Sequence, residues 1–316
     1  MITDRIKFIL AICLFISLAF KSNAQQALNI KDSIQLDEVI VTGTSRTISI
    51  RHLPMSISVV NNKEIKNRLE PSLLPLLSEE IPGLFITQRG VMGYGVAAGA
   101  AGGMNVRGIG GAPTAGVLVL IDGNPQYMGL MGHPLADSYQ SLMTEKVEVI
   151  RGPASMLYGS NAMGGVINII TKQNKANKND IGAQVMYGSY NTLNAEASVN
   201  ARKEAVQGTF NIGYNRSDGH RDNMGFEQLN GYVKLGYDFN SNWSSYVDIN
   251  LSTTKSSNPG TVSNTIIDND ADIFRGVVSA AFQNNFEKTS GALKLYYNFG
   301  THEINDGYNP GEKPLP

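Results

Sequence analysis

Strict alternation of apolar and polar residues is the feature that most constrains how this 316-residue chain can fold. Val247, Ile249 and Leu251 fall in one register, whereas Asp248 and Asn250 fall in the other. Successive side chains of a β-strand point to opposite faces, so such a strand has one apolar and one polar face. The same pattern occurs in residues 229–239, 243–253 and 293–299. The chain after residue 174 is therefore predicted to form a large antiparallel sheet.

Strand length and aromatic placement favour a sheet that crosses a membrane over a soluble sandwich. A tilted strand needs about 9 to 11 residues to cross the hydrocarbon layer, and membrane barrels carry aromatic residues at its borders. Aromatic residues stand near the ends of the predicted strands: Tyr187, Tyr214, Tyr237, Phe239, Trp243 and Phe299. Short connections alternate with long polar ones, predicted at 216–226 and 254–272.

The number of predicted strands is too small for a closed barrel. We expect roughly seven strands between residues 181 and 299, which would leave two open edges. An unpaired backbone group in hydrocarbon costs several kcal/mol, so the sheet is expected to be the first part of an incomplete barrel. The segment 307–316 is predicted to lie in an extracellular loop, as in a truncated gene or a partial sequence.

Composition and motifs argue against nucleic-acid binding and catalysis. The formal net charge is -1, without the basic surplus of nucleic-acid binders. The glycine-rich runs at 108–111 and 152–159 lack, respectively, the third glycine of a dinucleotide site and the lysine of a phosphate-binding loop. No nucleophile elbow or zinc-spaced histidine pair occurs. We therefore expect no enzyme activity, no cofactor and no resident metal.

The first 24 residues have the pattern of an export signal. Arg5 and Lys7 precede an apolar run at 8–20, and small residues at 22–24 suit a signal peptidase. An uncleaved anchor is the alternative, although the run is shorter than the roughly 20 residues of a membrane-spanning helix. Cys13, the single cysteine, lies inside this run. Residues 25–52 are predicted to be a flexible lead that contains an extended segment at 37–42.

Residues 53–173 are predicted to form a compact α+β domain. Helical spacing occurs at 62–69 and 72–79. Predicted strands cover 56–60, 84–87, 104–107, 117–121 and 146–151, and the strand at 117–121 reads as buried on both faces. The glycine-rich stretch 90–103 is predicted to be a loop.

Four motifs occur in a fixed order along this part of the chain. They are Asp37-Glu38-Val39-Ile40-Val41-Thr42, Arg107-Gly108, Asp122-Gly123-Asn124-Pro125, and a closing segment that contains Arg151, Gly152, Pro153, Tyr158, Gly159, Gly164 and Gly165. Together they resemble the TonB box and plug domain of TonB-dependent outer-membrane receptors. The resemblance implies an α+β plug domain followed by antiparallel transmembrane β-barrel strands.

The resemblance also implies a function and partners. Such a receptor imports a scarce ligand across the outer membrane, and TonB, with its inner-membrane energising complex, would pair with residues 37–42. The alternative for that segment is a first strand of the plug. Outer-membrane lipid and a small chelated ligand, of the iron-siderophore, corrinoid or heme class, are the other expected partners. A truncated, non-transporting fragment and a passive ligand-binding or adhesion protein remain alternatives.

Candidate side chains follow from the same resemblance. The predicted ligand contacts after the Asp122-Gly123 turn are Gln126, Tyr127, Met128, Met131 and His133. Their methionines and histidine also suit copper, whereas Asp268, Asp270 and Asp272 suit calcium or a solvated acidic loop. Arg107 and Arg151 correspond to arginines that latch the plug to wall glutamates. Here they would pair with missing strands, with Glu145, Glu148 or water, or lie exposed.

Overall fold

The computed structural model describes residues 38–39, 48–49, 55–68, 71–87, 103–111, 116–126, 139–174, 177 and 179–312. The predicted export signal at 1–24 lies outside these ranges, as does the flexible lead predicted at 25–52 apart from residues 38–39 and 48–49. Within the described ranges, no helix is both long and apolar enough to cross a membrane.

The described residues of the N-terminal part form ten short strands and three helices. The strands are β1 (Glu38–Val39), β2 (Ile48–Ser49), β3 (Ile57–Asn61), β4 (Leu84–Ile86), β5 (Met104–Val106), β6 (Ile109–Gly111), β7 (Val117–Ile121), β8 (Asn124–Pro125), β9 (Thr144–Arg151) and β10 (Gly165–Thr171). The helices are α1 (Asn62–Arg68), α2 (Leu73–Glu80) and α3 (Ser155–Tyr158), and a 3-10 turn covers Ser160–Ala162. Every helix and strand predicted for the α+β domain is confirmed to within two residues at each end.

Side-chain caps explain where the first two helices begin. The Asn61 and Glu64 side chains each accept a hydrogen bond from the other's backbone N–H, at 3.2 and 2.8 Å, which forms a capping box for α1. Ser72 caps α2 by accepting a hydrogen bond from the Leu74 N–H at 3.4 Å. Both caps satisfy N–H groups that have no partner within the helix.

The plug domain, as we call residues 57–171, is built on a five-stranded sheet. The strand order is β3-β9-β10-β7-β8, with β10 parallel to β7 and antiparallel to β9. All five residues of β7 are buried, because α2 covers one face of the sheet and a second apolar cluster covers the other. Leu73, Leu74, Leu76 and Leu77 of α2 lie in the larger cluster. A separate three-stranded sheet contains β4, β5 and β6.

The remaining chain forms a seven-stranded antiparallel meander, which we call the wall sheet. Its strands are β11 (Asn179–Gly188), β12 (Thr192–Lys203), β13 (Val206–Ser217), β14 (Phe226–Asp238), β15 (Trp243–Ser257), β16 (Ile267–Asn285) and β17 (Ser290–Tyr308). Each strand pairs with the next along the chain, so among the described residues the sheet has β11 and β17 as its edges. The predicted count of seven strands and the open sheet are confirmed.

The alternating faces of the wall sheet are also confirmed. In β15, Asp248 and Asn250 are buried, whereas Val247 is 56% exposed. In β14, Gln228 and Lys234 are buried, whereas Leu235 is 62% exposed. The buried polar face lies against the plug domain and the apolar face is the one free to meet lipid.

One predicted loop of the wall sheet is wrong. Residues 254–272 were expected to be a long polar connection, but β15 continues to Ser257 and β16 begins at Ile267. Backbone pairing continues because Asp270 lies opposite Asn305 and Asp272 lies opposite Glu303 in β17. The acidic triad of Asp268, Asp270 and Asp272 is therefore part of a strand, since ladder hydrogen bonds outweigh the weak strand propensity of aspartate.

Candidate functional site

Two of the plug motifs are two-residue hairpin turns. Arg107 and Gly108 connect β5 to β6, and Asp122 and Gly123 connect β7 to β8. All four residues have positive φ, between 48° and 82°, as the central positions of a type I′ turn require. Asp-Gly suits this turn because aspartate tolerates the left-handed region and glycine enters it without strain.

The Asp122 turn meets the wall sheet at a buried group of charges, which we call the Asp122 junction. Lys234 of β14 donates from Nζ to Asp122 Oδ2 at 2.7 Å and to Thr171 Oγ1 at 2.9 Å. The Thr171 hydroxyl and backbone N–H donate to the Asp122 carboxylate at 2.6 and 2.9 Å. The Lys234 and Asp122 side chains are 5% and 9% exposed. A charge-assisted network thus joins the ends of two plug strands to the wall.

A second wall strand holds the backbone of the same turn. Lys294 of β17 donates a hydrogen bond from Nζ to the Asp122 carbonyl oxygen. Asn298, four residues further along β17, donates a hydrogen bond from Nδ2 to the Pro125 carbonyl oxygen at 3.0 Å. Within the plug, the Gly123 N–H donates to Asn168 Oδ1 at 3.2 Å. The turn is therefore fixed by β14, β17 and its own sheet.

The charges of the junction determine the ionisation of Asp122. Burial alone would raise the pKa of this carboxyl, because it removes water from the charged form. The Lys234 ammonium and the hydrogen bonds from Lys234 and Thr171 outweigh burial, so the pKa of Asp122 lies below its ordinary value of 3.8. Asp248 of β15 is also buried near this group and accepts a hydrogen bond from Ser279 Oγ at 2.7 Å. Asp122 is thus held as a carboxylate.

Neutral contacts continue along the seam between the plug domain and the wall sheet. The Gln140 Nε2 donates to Gln228 Oε1 at 3.4 Å, and Asn250 Nδ2 lies 3.8 Å from the Met143 sulfur. Tyr232 of β14 is 3% exposed and belongs to the larger apolar cluster of the plug domain. Among the described residues, the wall therefore contributes the aromatic ring of Tyr232 to the apolar cluster of the plug.

A charged cavity of about 200 Å³ opens on another part of the seam. Lys66 of α1 and Lys172 line it from the plug side, and Asp180 and Glu196 line it from β11 and β12. Burial lowers the pKa of Lys172, and the nearby Lys66 ammonium lowers it further. The seam is closely packed at the Asp122 junction and open at this cavity.

The closing motif forms the turn that leads into the last plug strand. Arg151 ends β9, Gly165 begins β10, and the Gly152 N–H donates to the Gly164 carbonyl at 3.0 Å. Tyr158 ends α3 and packs against the smaller apolar cluster. The remaining motif residues, Pro153 and Gly159, lie on either side of α3. A Cβ at Gly165 would collide with the Ile150 carbonyl oxygen, so the strand approach requires glycine there.

The two motif arginines are not paired with the acidic residues suggested from the sequence. Arg107 is exposed and donates to Ser56 Oγ at 3.3 Å, and Arg151 donates to the Pro82 carbonyl at 3.4 Å. Glu148 instead forms an ion pair with Lys146 at 2.8 Å. Side chains alternate along β9, so Lys146 and Glu148, two residues apart, share a face, whereas Arg151 points to the other.

The remaining candidates are distributed as follows. Gln126 is 4% exposed, and its side-chain amide donates to the Asn124 carbonyl at 3.0 Å. Its predicted ligand-contact partners, Tyr127, Met128, Met131 and His133, lie outside the described residues. Among the residues that the structure describes, no group of three histidine, cysteine or acidic side chains is arranged to hold a metal ion.

In the predicted TonB-binding segment, Asp37, Ile40, Val41 and Thr42 also lie outside the described ranges. Glu38 and Val39 form β1 and pair with Ser49 and Ile48 of β2. The chain returns within ten residues and supplies this pairing strand. The pair forms its own two-stranded sheet and does not join the plug sheet.

Lys234 and Lys294 are the functional candidates that sequence reasoning missed. The pattern placed Lys234 in the inward register of β14 without naming a partner. A lysine on the buried face of a strand needs a carboxylate partner. Its presence on that face was therefore the sequence signal that a buried ion pair exists. Its partner is 112 residues away in the chain, so local spacing could not identify it.

Comparisons with known proteins agree with this geometry. Residues 49–166 match the family model described as TonB-dependent Receptor Plug Domain. An iron-regulated outer membrane virulence protein of Vibrio cholerae is 32% identical over 156 residues, covering 46% of this chain and 22% of that protein. The vitamin B12 transporter BtuB of Vibrio vulnificus is 28% identical over 221 residues, covering 66% of this chain and 34% of that protein. The chain thus spans between a fifth and about a third of these relatives.

A solved structure supports the fold. The ferripyoverdine receptor of the outer membrane of Pseudomonas aeruginosa, bound to ferripyoverdine, aligns with a TM-score of 0.68 at 19% identity. The alignment covers 88% of this chain and 38% of that receptor.

The fold, an α+β domain docked on the polar face of an antiparallel meander, is therefore similar to part of this receptor. Residues 49–166 match the plug domain of TonB-dependent receptors, and the chain is a relative of such receptors. The resemblance to this family is confirmed.

Proposed function

We propose that the chain is the N-terminal part of an outer-membrane receptor that imports a small chelated ligand by energy supplied through TonB. The observation that carries the proposal is the polar seam between the plug domain and the wall sheet. Hydrogen bonds and ion pairs at this seam can be exchanged for water, whereas a continuous apolar interface would resist separation. A plug that must leave the wall and return suits such a seam.

The segment 37–42 is proposed to be the attachment point for TonB. Its β-branched residues favour an extended conformation, and an extended segment can add to the sheet edge of a partner through backbone hydrogen bonds. Pairing between β1 and β2 supports the view that Glu38 and Val39 adopt this conformation. TonB would draw on the inner-membrane proton gradient. The export signal at 1–24 would be cleaved and the chain delivered to the outer membrane.

The ligand is proposed to belong to the iron-siderophore, corrinoid or heme class, with Gln126, Tyr127, Met128, Met131 and His133 as candidate contacts. Relatives support this range, since one is an iron-regulated outer membrane protein and another is a vitamin B12 transporter. A passive ligand-binding or adhesion protein is the competing function, and it would need no attachment point for TonB.

Two proline substitutions in the complete receptor separate these functions. Val39→Pro removes a backbone N–H from the proposed TonB segment, and Ile48→Pro removes one from the opposite strand of the same hairpin. Uptake of radiolabelled cyanocobalamin, hemin and a ferric catecholate is compared with surface binding of each. We expect Val39→Pro to abolish uptake without loss of surface binding, and Ile48→Pro to retain uptake. Full uptake by Val39→Pro would contradict TonB coupling through this segment.

A further inference from the structure

The Asp122 junction brings together four segments that are distant in the sequence. Asp122 follows β7, Thr171 ends β10, and Lys234 and Lys294 belong to β14 and β17 of the wall sheet. Thr171 also stands close to the point where the plug domain ends. The junction therefore lies where the plug sheet, the exit of the plug domain and the wall meet.

Lys234 has partners for its full donor capacity at this position. An ammonium has three N–H donors. Two reach Asp122 Oδ2 and Thr171 Oγ1 at 2.7 and 2.9 Å, and Nζ lies 4.1 Å from the centre of the Tyr246 ring. A buried cation so completely surrounded is stable only while the carboxylate stays opposite it. Moving the plug domain away would separate the Lys234 ammonium from Asp122 and Thr171 and leave it beside Asp248, its cross-strand neighbour in β15.

The other contacts described along the seam lack the charge or the short hydrogen bonds of the Asp122 junction. Gln140 and Gln228 are neutral and 3.4 Å apart, and the Asn250 to Met143 contact is 3.8 Å long. Tyr232 packs in an apolar cluster, where contacts are not directional. Of these seam contacts between described residues, the junction is the one that combines opposite charges, burial and short directional hydrogen bonds.

We propose that Lys234 is a positioning residue that sets where the plug domain docks on the wall sheet. Its ammonium selects the Asp122 carboxylate and the Thr171 hydroxyl, and Lys294 holds the Asp122 carbonyl from a second strand. The wall supplies the cations and the plug supplies the anion. Docking of this kind follows from the contacts alone. Its consequence for transport rests on the proposed function: the junction would set the threshold for plug release.

Two cysteine reporters test the proposal in the complete receptor inserted in lipid vesicles. Cys13, the single cysteine of this sequence, lies in the export signal that is proposed to be cleaved, so residues 25–316 contribute no native thiol. Any cysteine in the remaining part of the receptor is replaced by serine. Met143→Cys lies at the seam, where Met143 is 1% exposed, and reports separation of the plug from the wall. Leu77→Cys lies inside the plug core, where Leu77 is fully buried, and reports unfolding of the plug itself. The rate of maleimide labelling is measured for each.

The junction variants are compared with a wall lysine that does not meet the plug. We expect Asp122→Asn and Lys234→Met each to speed labelling of the seam reporter by about 10- to 100-fold, because each removes one partner of the buried ion pair that joins the plug to the wall. The double variant should label more slowly than either single variant, since it removes both members of that pair together. Lys255→Met, which removes an exposed pair with Asp272, should label at the wild-type rate.

Two outcomes would overturn the proposal. Wild-type labelling of the seam reporter in both single variants would mean that the ion pair does not position the plug. Equal acceleration at both reporters would assign the pair to the stability of the plug domain instead. The assay contains neither TonB nor a ligand, so its result is independent of whether the transport proposal fails.

Discussion

The plug domain and the wall sheet place their apolar side chains on opposite sides. In the plug domain, leucines of α2 are fully buried against the sheet, whereas in the wall sheet residues such as Leu235 and Leu295 are 62% and 66% exposed. The wall sheet buries asparagine, serine and threonine side chains on its other face instead. Water drives the folding of the first region, and lipid is the environment that suits the second.

The difference explains the character of the seam between the two regions. A plug with its own core needs little apolar contact with the wall, and a wall that turns polar groups inward offers little. Contact is therefore concentrated in Tyr232 and in the Asp122 junction. The plug domain buries its apolar side chains and the wall sheet exposes them, yet polar groups of the two regions pair where they meet.

Replacing one leucine in each region by alanine should give the largest difference in the free energy of unfolding. We expect Leu77→Ala to lower the free energy of unfolding of the plug by about 2–5 kcal/mol, because a buried cavity remains. Leu235→Ala should lower the free energy of unfolding by less, since lipid or detergent fills the space left by the side chain. Denaturant titration in detergent micelles measures both. Equal losses would remove the contrast and favour a wall whose exposed face is packed against protein.

A charge on the outward face tests the environment of the wall sheet. Ile249→Arg should destabilise the chain in vesicles by about 2–4 kcal/mol if the residue lies near the middle of the bilayer. Ile249→Leu is the matched control and should be nearly neutral. Refolding equilibria in vesicles measure the difference. A fully tolerated arginine would indicate that this face meets water.

Acid should lower the stability of the seam by less than either of these substitutions. The folded pKa of Asp122 is lowered, so its stabilising contribution is present above the unfolded value of 3.8 and is lost as the pH falls through the folded pKa. We expect the stability difference between wild type and Asp122→Asn to be full above about pH 5 and to vanish in stronger acid. Denaturant titrations across this range test the prediction. A difference that stays constant down to pH 2 would show that ionisation of Asp122 is not linked to folding.

The sequence predicted best those features that are determined by residues close together in the chain. Alternation in β14 and β15 has a period of two residues, so the wall faces could be read directly from the chain. The strand β7 was predicted with correct ends because Asp122 and Gly123 mark its turn. These features are set by residues within a few positions of one another.

Features set by distant pairing were predicted poorly. The acidic stretch at Asp268 and Asp272 resembles a loop locally, and only pairing with β17 makes it a strand. The latch predicted for Arg107 and Arg151, with partners on missing strands, stays a prediction, and the wall contact that the sequence did not predict is made by Asp122. Aspartate in a turn motif is already explained by turn geometry, so the sequence gives no separate sign of its second role.

The length of the last two strands has a consequence for the outer surface of the molecule. Each contains 19 residues, or roughly 60 Å of extended chain, about twice the number needed to cross the hydrocarbon layer. In a bilayer, the excess would continue as a hydrogen-bonded ribbon beyond the lipid. An approaching molecule would meet a stiff rim here, and binding to a rigid surface loses less conformational entropy than binding that must first order a loop.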